Sequence, residues 1–271
     1  MNNHFHICNS VPTDEEPLNL FDDHEIDVFL YSIYVGLITT RSLSMSVYKK
    51  TAEKLMEGVL KGFEKSLIEI EYGTADDIML KSLRENVYVF SAAKDYQQTK
   101  LISSLLSKDG GFRSYAEFKE LAKKEFTKFN ENYLRAEYNS AIAQARAARL
   151  WQTIEADKGI YPQLQYNTAG DQRVRKEHAA LNKIVRPVDD HFWDMYYPPN
   201  GWSCRCTVLQ VGGQKNTDLS KKAEPTKKEV PEIFRFNAGK SKIIFSPAHP
   251  YFEIAKQDKD FAKQNFNLPL P

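Results

Sequence analysis

Apolar positions recur three and four residues apart along most of the first 160 residues, then give way to short β-branched and aromatic runs. Ile26, Phe29, Leu30, Ile33, Val35 and Leu37, followed by Val47, Leu55, Val59 and Phe63, predict two helices between residue 25 and about residue 67. Leu80, Leu83 and Val87 predict a further helix over 78–89, and Tyr96, Leu101, Ile102 and Leu105 another over 92–106. The Asp109-Gly110-Gly111 turn stops this pattern.

Ser114-Tyr115-Ala116-Glu117 has the spacing of a capping box, in which the serine and glutamate side chains satisfy each other's free backbone donors at a helix start. Phe118, Leu121, Phe126, Phe129, Leu134, Tyr138 and Ile142 then line one side of a long helical region, with alanines at 141, 143, 145, 147 and 148 lowering its entropic cost. It is expected to run to about residue 156, with a break near Asn130. After Gly159, residues 163–168 read as extended, 173–181 as helical, Thr207-Val208-Leu209-Gln210-Val211 as a strand, and 243–245 as one more short strand. The fold class expected is α+β: a mostly helical N-terminal half followed by a smaller mixed α/β core.

Composition narrows the function classes. With 37 basic and 36 acidic side chains the net charge is +1, so no global field draws the chain to nucleic acid or an anionic membrane. A hydrophobic fraction of 42% over 271 residues supplies a substantial core. Three cysteines make no disulfide framework, and the amino terminus shows no secretory pattern, so a reducing cytoplasm is the expected place of synthesis. The most apolar stretch, residues 26–38, is interrupted by Asp27 and Ser32 and too short to span a bilayer. Residues 1–24 read as a flexible arm, in which His4, His6 and Cys8 alternate without further metal-site context. Residues 215–228 read as a charged linker.

The chemistry concentrates in residues 166–206. Cys204 and Cys206 on an extended backbone present both sulfurs to one side, which suits a shared Zn2+. His178 supplies a third ligand, with His191, or a carboxylate of Asp189 or Asp190, as the fourth. The competing reading makes the cysteines small buried hydrophobes and His178 an ordinary hydrogen-bonding group. Asp171, Arg173 and Arg175 form either a catalytic constellation or, the favoured reading, an ion-pair network tied to Asp189 and Asp190. Trp193, Tyr196, Tyr197 and Trp202 flank the Pro198-Pro199-Asn200-Gly201 turn and are read as packing on it rather than stacking on bases. Lys119, Lys123, Lys124, Lys128, Arg135, Arg146 and Arg149 tint the long helical region basic, although interspersed glutamates balance them.

Four ordered elements carry a resemblance: Asp171-Gln172-Arg173-Val174-Arg175-Lys176-Glu177-His178, Pro187-Val188-Asp189-Asp190, Tyr197-Pro198-Pro199-Asn200-Gly201-Trp202 and Cys204-Arg205-Cys206. Together they resemble the core of the phage Mu F-like head morphogenesis family of minor capsid proteins. The likeness begins near Tyr133-Leu134-Arg135-Ala136-Glu137-Tyr138-Asn139 and resumes at 239–245. It implies a non-enzymatic minor head protein of a tailed phage or prophage, found in the virion and, during assembly, in the bacterial cytoplasm. It further implies a Mu F-like domain over 111–213, a tail over 214–271, and a helical region over 25–110 that docks on portal, capsid or scaffold proteins. Local contact with packaged DNA and no membrane association complete that picture. The alternative is a zinc-dependent hydrolase or phage-encoded toxin built on His178, Cys204 and Cys206, with an open coordination position for water.

Overall fold

A reciprocal cap starts the first helix. Glu25 N–H donates to Asp22 Oδ1 (2.8 Å) and Asp22 N–H donates to Glu25 Oε2 (3.1 Å), so two free backbone donors are satisfied at once. The computed structural model describes residue 18 and residues 20–65, 67–221 and 230–265. His4, His6, Cys8 and most of the expected arm lie outside the described residues, as does half of the expected linker.

In chain order the elements are α1 (Asp23–Tyr34), α2 (Met45–Phe63), α3 (Ala75–Ser104), the two-residue strands β1 (Ser107–Lys108) and β2 (Gly111–Phe112), α4 (Tyr115–Thr127) and α5 (Leu134–Asp157). They continue as β3 (Gln163–Asn167), α6 (Lys176–Leu181), β4 (Val185–Pro187), α7 (Phe192–Tyr196), β5 (Thr207–Val211), α8 (Ala238–Ser241) and α9 (Lys259–Asn265). The fold is α+β, with a helical N-terminal half.

Several expectations change in detail. The two helices expected over 78–89 and 92–106 are the single helix α3, because nothing between them breaks the ladder: Phe90 and Ser91 are both buried, and Ser91 Oγ returns a bond to Val87 O (2.8 Å). The break near Asn130 is present as a π-helical segment, Lys128–Tyr133, between α4 and α5. Asn130 Nδ2 donates to Phe126 O (2.9 Å), four residues back, so a side chain competes inside the backbone ladder. The capping box at α4 is formed, with Glu117 N–H on Ser114 Oγ (3.3 Å) and Ser114 N–H on Glu117 Oε2 (3.1 Å). No strand forms over 243–245. Lys242 takes left-handed backbone angles that end α8, and Ile244 and Phe245 are apolar because they are buried, not because they join a ladder.

The chain divides into two units, each built from separated stretches of sequence. One comprises the described parts of 14–58, 84–138 and 247–271. It is helical, and one of its cores gathers Phe29, Leu30 and Ile33 of α1 with Phe118, Ala122 and Phe126 of α4. A polar group is buried in the same unit: Ser44 N–H, just before α2, donates to Asp95 Oδ2 (2.8 Å), and Asp95 is 2% exposed. Burial raises the Asp95 carboxyl to about 7. A carboxyl whose folded value lies above its unfolded value holds its proton preferentially in the folded state, so its contribution is full at low pH and is lost as pH rises from about 4 to about 7. The unfolding free energy of the natural protein, minus that of Asp95→Asn, is therefore expected to fall across this window. Urea titrations at a series of pH values check it, and a pH-independent difference would rule out the buried neutral carboxyl.

The other unit comprises the described parts of 59–83 and 139–246. Its three-stranded antiparallel sheet has the order β4-β3-β5, with Gln163 opposite Pro187 and Val211, and Asn167 opposite Thr207. Leu164 and Tyr166 of β3 are fully buried in a core that also holds Trp151, Trp193, Tyr197, Cys204 and Cys206. The end of α2 crosses α5 at Gly62, where an added Cβ would lie 2.1 Å from Ile142 O. Only a residue without a side chain permits that approach.

Candidate functional site

Three short segments bring the sulfurs and the imidazole together. Arg175 is extended (φ −63°, ψ 147°) and the next residues turn into α6, where His178 and Leu181, three apart, face inward and are both buried. Cys204 and Cys206 precede β5, and the period-two alternation expected of them holds: both cysteines are buried, while Arg205 between them reaches Asp171. His178 Nδ1 lies 3.7 Å from Cys204 Sγ and 3.5 Å from Cys206 Sγ.

The third segment is the Tyr197-Pro198-Pro199-Asn200-Gly201-Trp202 turn. Asn200 is fully buried, and its carbonyl oxygen lies 3.3 Å from His178 Nε2. A carbonyl only accepts, so Nε2 carries the hydrogen and the Nδ1 position faces the sulfurs. The Asn200 side chain is fixed in turn. Its Oδ1 accepts from the Tyr166 hydroxyl (3.1 Å), and its Nδ2 donates to Tyr197 O (3.3 Å) and Met195 O (3.4 Å).

The electrostatics follow from this packing. A hydrogen bond from Cys206, with further help from the His178 imidazole, holds the Cys204 thiol well below its usual range despite burial. Cys206 moves the opposite way, raised by its bond to Cys204, by burial and by the charge that Cys204 carries. Burial alone would lower His178, but the contact with Cys204 outweighs it and leaves the imidazole raised. The three side chains line a small polar cleft whose other walls include Arg173, Arg175, Ser203 and Arg205. Among the described residues, no fourth histidine, cysteine or carboxylate joins the trio.

The structure places the other expected site residues elsewhere. His191, read as a fourth ligand, has a fully exposed ring with Nδ1 2.9 Å from Asp194 Oδ2; it immediately precedes α7 and is not part of the cluster. The expected network joining Asp171, Arg173 and Arg175 to Asp189 and Asp190 is not formed. Arg186, four residues before Asp190 and on the same strand-to-helix connection, takes that carboxylate (Nε to Oδ2, 2.9 Å), while Lys158 takes Asp189 (2.9 Å). Asp171 instead receives a two-pronged contact from Arg205 (2.6 Å and 2.6 Å), which lowers its carboxyl to about 2. Arg173 stands 3.8 Å from Asp171, and Arg175 donates to Trp202 O (2.6 Å). Trp193 is completely buried, and Trp202 meets Phe234 edge-on at 5.0 Å. Asn200 and Tyr166 were not read as site residues. The density of aromatics around an otherwise ordinary Pro-Pro-Asn-Gly turn was the available signal that the turn is interior.

Residues 50–209 match the family model described as Phage Mu protein F like protein. The chain belongs to this family. The match takes in both the His178 segment and the two cysteines, and starts well upstream of the likeness seen from motifs alone. The matched span takes in residues 59–83, which belong to the same unit as the trio. Among curated proteins, this Mu F-like chain is 39% identical over 80 residues to the putative capsid assembly protein F of Escherichia phage Mu, covering 30% of the chain and 17% of that relative. It is 35% identical over 75 residues to the Mu-like prophage FluMu F protein of Haemophilus influenzae, covering 28% of the chain and again 17% of the relative. The alignments thus span under a fifth of either relative's length. No solved structure matches. Among the described residues, no helix is long and apolar enough to cross a membrane.

Proposed function

We propose that this Mu F-like chain is a minor head protein of a tailed phage or prophage. In this reading it joins the assembling head at the portal, docks through the helical region over 25–110, and stays in the virion where it can touch packaged DNA. The observation that carries the reading is the family match over 50–209, with a phage Mu relative whose name refers to capsid assembly. Its role is structural. A hydrolase built on the His178 cluster has less support, because the family match and the capsid assembly name of the phage Mu relative favour a head protein.

Co-expression of the same element's major capsid, scaffold and portal proteins, with and without this chain, tests the proposal. The chain is expected to co-sediment with procapsids when portal is present and to be lost from them when portal is left out. Free sedimentation in every combination, with procapsid yield and shape unchanged by its presence, would sink the reading.

A further inference from the structure

We infer that His178 Nδ1, Cys204 Sγ and Cys206 Sγ bind one zinc ion, whose fourth position opens to solvent in the arginine-lined cleft. Three independent features of the site point to it, and none depends on the assembly role.

The first is distance. Zinc–sulfur bonds of about 2.3 Å and zinc–nitrogen bonds of about 2.0–2.1 Å, at tetrahedral angles, place sulfur and nitrogen about 3.6 Å apart. The two separations here are 3.7 Å and 3.5 Å, and all three donor atoms lie within 4.8 Å of one another. The ion would fit with little movement of the side chains.

The second is orientation. A metal-binding imidazole usually gives its other ring N–H to a carbonyl or carboxylate, which fixes both the ring and the tautomer. His178 Nε2 meets the Asn200 carbonyl in that manner, leaving Nδ1 toward the sulfurs. Asn200 is in turn held by Tyr166, Met195 and Tyr197. This is a built outer layer around the trio, with every polar group of the asparagine side chain engaged.

The third is the chemistry of the donors. Two thiols and an imidazole suit a soft or borderline ion of the zinc class, and hard oxygen-seeking ions such as magnesium are a poor match. Cys204 and Cys206 are free and buried, not joined in a disulfide. Two thiolates neutralise the ion's two positive charges, so the cleft arginines are tolerated nearby. The three donors line the cleft together with Arg175 and Ser203, so the fourth position of a tetrahedral ion would fall to water on that side.

The test uses the full chain purified from zinc-containing medium without chelators. Elemental analysis is expected to find about one zinc per chain, the stoichiometry of a single tetrahedral site. Replacement by Co2+ is expected to give thiolate-to-cobalt charge transfer in the near ultraviolet and the intense visible bands of a tetrahedral ion. Added azide should shift those visible bands through the open vertex. His178→Ala and Cys204→Ser should each lose the metal. To separate metal loss from misfolding of a variant, the natural protein is also stripped by chelator and refilled with Co2+ while its circular dichroism is recorded. A folded natural protein that carries no zinc and shows no charge transfer on adding Co2+ overturns the inference, as does a Cys204–Cys206 disulfide as its resting state. Bands that ignore azide overturn the open fourth position.

Discussion

Lys94→Met is expected to lower the unfolding free energy by about 3–5 kcal/mol, the usual cost of removing one partner of a buried ion pair. Lys94 on α3 donates to Glu137 on α5, and the two side chains are 2% and 3% exposed. The Tyr251 hydroxyl donates to the other carboxylate oxygen of Glu137 (2.9 Å). Burial pulls the Lys94 ammonium below its ordinary value, with Glu137 opposing the shift. His249, packed edge-on against Tyr251 (4.5 Å) and Phe90 (4.9 Å), is lowered to about 4 by burial and by Lys94, so it brings no positive charge at neutral pH. Methionine fills most of the lysine's volume, which isolates the electrostatic loss from a cavity. The measurement is a urea titration of the single variant, of Glu137→Leu and of the double variant. The double variant should be much closer to the natural protein than either single one, because no uncompensated charge remains. A single-variant cost under about 1 kcal/mol, the range of exposed pairs, would mean the pair is hydrated in solution.

Trp193→Ala is expected to cost a similar amount, about 3–5 kcal/mol, through the cavity left by a fully buried indole. Trp193 stands edge-on to Phe192 (4.8 Å), and its Nε1 donates to Pro187 O (2.9 Å), tying α7 back to the end of β4. It shares its core with Tyr166, Cys204 and Cys206, so its loss should also loosen the cysteine segment. Trp193→Phe keeps part of the volume but gives up the hydrogen bond, and should fall between the natural protein and the alanine variant. Thermal unfolding of the three proteins checks this order. An alanine variant melting with the natural protein would show that the core can collapse around the gap.

Helix caps, breaks and facing were legible in the sequence; the partner that each charged side chain takes was not, even three or four residues away. The Ser114–Glu117 cap, the interruption near Asn130 and the opposed directions of Arg205 and its flanking cysteines all follow from interactions a few residues long. His178, Cys204 and Cys206, 26 and 28 residues apart, were brought together as candidates by donor type and facing and not by locality. His191 failed because donor type alone says nothing about burial: it sits at an exposed helix start, where Asp194, three residues on, is the nearest partner in the chain. The partners of Asp189 and Asp190 failed for a related reason, as Lys158 and Arg186 reach those carboxylates before Arg173 or Arg175 can. The residues over 243–245 carried a strand-like composition, but hydrophobicity records burial, and a buried loop satisfies it as well as a ladder does.

The interleaving of the two units also bears on inheritance. Residues 59–83 belong with 139–246, while 84–138 belong with the other unit. A crossover anywhere between codons 84 and 138 would join residues 59–83 from one parent to residues 139–246 from another. The two parts of that unit would then have diverged apart, Gly62 facing an unfamiliar α5. A chimera that keeps residues 59–246 from one parent should therefore fold more readily than one crossed over within that span.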